Sequence, residues 1–141
     1  MGTISTIASA MKALLEAQMP AGVPVLVGVD PNSVDIHQWP RYVVLVPQEG
    51  PLDENLVIGG MVQEEHWRWD VYAACGYAGR EEDALTEVDT ILDLVSTALS
   101  NQKPVAATCG PLQLRTRFDL YLIDSSRIVY RQEWYHFRSE G

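Results

Sequence analysis

Between Glu81 and Leu99 the apolar residues Leu85, Val88, Ile91, Leu92, Val95 and Leu99 return at intervals of three and four, the period of a single helix face. The acidic trio Glu81, Glu82 and Asp83 opens the run, where the partial positive charge of a helix N-terminus favours carboxylates. A stripe this continuous has to be buried against something. The segments on either side of it read as strands, which commits the chain to helices packed on a sheet.

The same helical spacing recurs over residues 3–19 through Ile4, Ile7, Ala8, Met11, Leu14 and Leu15, and Pro20 and Gly22 stop it. Residues 23–29 are short, apolar and β-branched, and Asp30, Pro31, Asn32 and Ser33 close them as a turn. A polar connection carrying His37 and Trp39 leads to a second strand over residues 41–46, bounded by Pro40 and Pro47. Prolines and glycines over residues 48–60 predict a long loop, with Leu56, Val57 and Ile58 as its apolar part. Residues 61–75 alternate, with Trp67, Trp69, Val71 and Ala73 on one face and His66, Arg68, Asp70 and Tyr72 on the other. Beyond the second helix, Leu112, Leu114, Thr116, Phe118, Leu120 and Leu122 alternate with Gln113, Arg115, Arg117, Asp119 and Tyr121. Asp124, Ser125 and Ser126 then turn the chain into residues 128–137, so the last two strands form a hairpin. The predicted fold is one α+β domain over residues 1–141, in the order α-β-β-β-α-β-β. It has a mostly antiparallel sheet of about five strands with both helices on one face.

Nineteen acidic side chains against ten Lys and Arg give a net charge of −9, which argues against nucleic acid or an anionic membrane as partner. The charge is uneven. Acidic residues crowd the second helix, while Arg115, Arg117, Arg127, Arg131 and Arg138 fall near the end, a division that favours head-to-tail contact between copies if it survives folding. Cys75 and Cys109 are too few and too far apart for a disulfide scaffold or a metal pair, and suit a reduced cytoplasmic setting. No apolar run reaches the length of a membrane span. Phosphate-loop, dinucleotide-binding and nucleophile-elbow patterns are absent from the sequence, so no catalytic residue, cofactor or metal is expected. The carboxylates Asp35 and Asp53, and the group Asp35, His37, Glu64, Glu65 and His66, are the only material for an enzyme or ligand-binding domain, and they lie at loop or strand spacing. Strand aromatics interleaved with arginines are the residue types of an oligomer interface.

Taken together, the chain resembles the tail terminator and tail completion proteins of long-tailed bacteriophages. The resemblance rests on the opening helix with Met11, Lys12, Ala13, Leu14 and Leu15, the strand over residues 41–46, the long strand over 63–74, the helix over 81–99, and closing strands ending in Arg131, Gln132, Glu133, Trp134 and Tyr135. It implies a structural virion protein, assembled in the host cytoplasm, that forms a ring, commonly a hexamer, at the head-proximal end of the tail. Such a ring stops tail-tube polymerisation and presents a surface to the head connector or neck. Its expected partners are further copies of itself, the tail-tube protein and the connector. Another neck or head-completion subunit is the neighbouring reading. On this view Glu81, Glu82, Arg115, Arg117, Arg131, Trp67 and Trp134 are candidate interface residues, and Asp53, Glu54, Asn55 and Leu56 form a candidate contact loop.

Overall fold

The structure is a computed structural model that describes residues 2–48, 56–58, 61–77, 81–106, 108–124 and 126–139. Helix α1 (Thr3–Gln18) is followed by β1 (Val25–Val27), β2 (Arg41–Pro47), β3 (Leu56–Ile58) and β4 (Met61–Gly76). Helix α2 (Glu81–Leu99) then leads to β5 (Gln113–Ile123) and β6 (Arg127–Ser139). The α+β architecture and the predicted order of elements are those of the structure, with β3 as one short addition.

Among the described residues the sheet has six strands, five in the order β1-β2-β4-β6-β5 and the sixth, β3, paired with β4 off that path. Its spine is the pairing of β4 with β6, antiparallel without interruption from Glu64 opposite Ser139 to Gly76 opposite Arg127. On the other edge of β4 run β2, from Arg41 opposite Cys75 to Pro47 opposite Trp69, and β3, from Leu56 opposite Glu64. Part of the predicted 48–60 loop is therefore a strand of a β3–β4 hairpin. The sheet is mixed, because β1 pairs parallel with β2, Val25 opposite Val43. A parallel neighbour needs a crossover connection, and residues 28–40 supply it. Gly28, at φ 74°, takes the left-handed turn that releases the chain from β1.

Both helices cover one face, α1 over β1 and β2 and α2 mainly over β4 and β6. The alternation of β4 puts Trp67, Trp69, Val71, Ala73 and Cys75 under them, against Met11 and Leu15 of α1 and Val88, Ile91 and Val95 of α2. Two polar side chains enter this core with partners. Trp69 donates its indole N–H to His136 Nε2 at 3.0 Å, and Trp134 donates to Gln132 Oε1 at 3.2 Å. Cys75 donates its thiol to Glu87 Oε2 at 2.9 Å, and burial with that carboxylate pushes the thiol pKa up to about 12, so it stays protonated. Helix α2 ends at Asn101 in the left-handed conformation (φ 61°), and Asn101 N–H donates to Leu112 O at 3.0 Å, which ties the helix end to the start of β5.

Among the described residues, the opposite face is covered only at one end. There the crossover lays Val34, Ile36 and Trp39 over Tyr42, Val44, Tyr72, Ala74 and Val129. Arg127 pins it, donating to Val34 O at 2.7 Å and to Tyr42 Oη at 2.9 Å. The polar connection of the sequence reading is thus a small second core.

Candidate interaction face

Past the crossover, the open face of the sheet carries side chains of alternating charge on three adjacent strands. Strand alternation turns Arg68 and Asp70 of β4, and Arg131 and Glu133 of β6, away from the helices. Asp119 sits opposite Arg131 in the β5–β6 register. Arg131 Nη2 reaches Asp119 Oδ2 at 2.5 Å and its Nη1 reaches Asp70 Oδ2 at 3.5 Å. Glu133 Oε1 receives Arg68 at 3.3 Å and Arg115 at 3.7 Å.

Asp70 is the centre of this lattice and is only 2% exposed. Its Oδ2 accepts hydrogen bonds from Gln48 Nε2 and from the Tyr72 hydroxyl. Burial raises its pKa, against the lowering pull of Arg131. The Arg131 pKa is raised as well, by its hydrogen bond to Asp119 first and then by the Asp70 carboxylate, so its charge is held more firmly. Tyr72 rises to about 12 through burial and the neighbouring Asp70 carboxylate. Asp70 Oδ1 and Arg68 Nε are buried without a hydrogen-bond partner among the described residues. Around the ion pairs stand aromatics: Tyr121 edge-on to Tyr72 at 4.7 Å, and Tyr135 edge-on to Phe137 at 6.3 Å, with Tyr121 and Phe137 exposed.

Of the candidate interface residues, Arg115 and Arg131 lie on this face. Trp67 and Trp134 do not. They are 4% and 0% exposed in the helix-covered core, because their positions in β4 and β6 alternate toward the helices, and they are corrected here to core residues. Glu81 begins α2 and Glu82 is exposed on it, on the helix side of the sheet. Arg117 lies in β5. Of the contact loop, Asp53, Glu54 and Asn55 lie outside the described residues, and Leu56 opens β3.

Among the described residues the division of charge along the sequence does not become one acidic and one basic surface. The described arginines of the open face meet carboxylates of their own subunit, since cross-strand neighbours on one face attract when oppositely charged. Asp70, Asp119, Glu133 and Arg68 were not singled out by sequence reasoning. Asp70 and Arg68 carry only the alternation signal of a solvated strand face, and Asp70 is met by Gln48, just past the end of β2, and by Arg131 of β6.

The alternative group is pulled apart. Asp35 and His37 form an exposed loop turn, His37 N–H donating to Asp35 Oδ1 at 2.9 Å, beside the Gly76 end of β4. Residues 64–66 lie ten or more positions back along that strand, roughly 33 Å away at 3.3 Å per residue. Among the described residues no group of three His, Cys, Asp or Glu side chains is placed to hold a metal ion. No helix among them is long and apolar enough to cross a membrane. Comparison of the sequence with protein-family models and with curated proteins gives no match.

Proposed function

We propose that this protein is a structural subunit of a long-tailed bacteriophage, a tail terminator that closes into a ring at the head-proximal end of the tail, ends tube growth and offers its other side to the head connector. The observation that carries this reading is the open sheet face. Arginines held in position by Asp70, Asp119 and Glu133 stand among exposed Tyr121 and Phe137, and Arg and aromatic side chains are the types enriched where proteins meet. It is a broad surface set with preorganised groups, which suits contact with another protein surface. The element order on which the resemblance rests adds to it. In a closed ring each copy uses two different patches, and the uncovered part of this face serves as one of them.

Polymerisation of purified tail-tube protein with and without this chain tests the proposal. The expected result in negative stain is short tubes carrying a ring at one end. Tubes of unchanged length with bare ends would overturn it.

A further inference from the structure

On the helix side, α2 and β5 leave a groove of about 350 Å³ between them, quite different from the ion-paired open face. Leu85, Val88 and Leu92 of α2 form one wall, and Phe118 of β5 and Tyr130 of β6 form the floor. Phe118 packs edge-on against Tyr130 at 6.1 Å yet stays 52% exposed, and Leu85 and Leu120 are exposed to a similar degree. Along the rim, Glu82, Asp89 and Asp93 share the side of α2 that carries Leu85, spaced by seven and then four residues. All three are exposed, and none takes part in an ion pair among the described residues. Below the rim, β5 pairs with β6 on one side, and among the described residues no strand pairs with its outer edge.

These features fit one kind of occupant. A strand laid along the outer edge of β5 sends alternate side chains up toward α2. Apolar ones meet Phe118, Leu120 and Leu85, and cationic ones meet Glu82, Asp89 and Asp93. We propose that the α2–β5 groove docks an extended, lysine- or arginine-bearing segment of a partner protein, which adds to the sheet beside β5. A second copy of the chain is the poorer fit on charge: it brings a net charge of −9, and its described strand arginines Arg68, Arg115 and Arg131 are already engaged with its own carboxylates.

The test uses the full chain and a fluorescein-labelled peptide of repeating Val-Ser-Lys-Ser, whose valines and lysines share one strand face, read by fluorescence anisotropy, with the glutamate-for-lysine peptide as control. The proposal expects the lysine peptide alone to bind, with affinity falling about tenfold or more in Leu85→Lys and in Asp89→Lys. Glu16→Lys, the same charge change on α1, is expected to leave affinity within about twofold. Thermal melts show whether each variant is folded, and Phe118→Ser repeats the test from the sheet side without a charge change. Three results would overturn the proposal: no binding of the lysine peptide, equal weakening by Glu16→Lys, or light scattering in which Leu85→Lys dissolves a self-assembly of the wild type, which assigns the groove to a second copy.

Discussion

The two faces of the β4–β6 spine are built on opposite principles. Under the helices, large apolar side chains fill the space, and the polar groups that enter, His136 and Gln132, are met by Trp69 and Trp134. On the open side the same two strands carry ion pairs, and Asp70 is buried there with one oxygen that meets no hydrogen-bond donor among the described residues. Burial of apolar surface is the term that stabilises the fold. A buried charge paired at a sheet surface contributes little net stability while fixing the direction in which side chains point. One face thus holds the molecule together, and the other, on the proposed function, is a contact surface. Four experiments press on that contrast.

The largest effect is expected on the covered face. Trp134→Ala removes a fully buried ring and the donor to Gln132 Oε1, so it should cost about 3–5 kcal/mol in urea unfolding followed by circular dichroism. A loss under about 1 kcal/mol would mean that this face is not the stabilising one.

Arg131→Met comes next. It leaves Asp70 buried without its cation, and because Arg131 is partly exposed the expected cost is about 1–3 kcal/mol. Adding Asp70→Asn should return most of that loss in a double-mutant cycle. Simple additivity of the two changes would deny that they act as a pair.

The pH dependence is smaller and has a definite sign. Because burial raises the Asp70 pKa, the folded state binds that proton more tightly than the unfolded chain does. Its contribution to stability therefore falls as pH rises from the ordinary aspartate value near 4 through the raised one. Asp70→Asn should remove that descent from a stability–pH profile, and an unchanged profile would contradict it. Asp124, exposed and accepting hydrogen bonds from Ser126 and Arg127, has a lowered pKa and acts with the opposite sign: its contribution fades as pH falls through that lowered value.

The smallest effect belongs to the groove. Phe118→Ser alters a half-exposed ring and should shift stability by no more than about 1 kcal/mol. A loss as large as that of Trp134→Ala would make Phe118 a core residue.

Periodicity alone made the helices, the long central strand and the closing hairpin legible, since each carries its own stripe or alternation with a Pro, Gly or Asp-Ser boundary. The parallel β1–β2 pair was not, because pairing direction is set by where the 28–40 connection packs, and Val34, Ile36 and Trp39 do not show that locally. Trp67 and Trp134 show the limit for sites. Composition marks tryptophan as an interface residue, but only the sheet register reveals that both point under the helices. Arg115 and Arg131 were legible as candidates; their carboxylate partners were not, because cross-strand neighbours are fixed by register shifts within β5–β6.

The proposed function requires that copies of this chain meet through the open face. Light scattering on the size-fractionated protein tests it most directly, comparing the wild type with an Arg115→Glu, Phe137→Glu variant whose changes fall at exposed positions of that face. The account predicts a closed assembly of the wild type and a folded monomer for the variant. A wild type that stays monomeric at every concentration, or a variant that assembles as the wild type does, would contradict it.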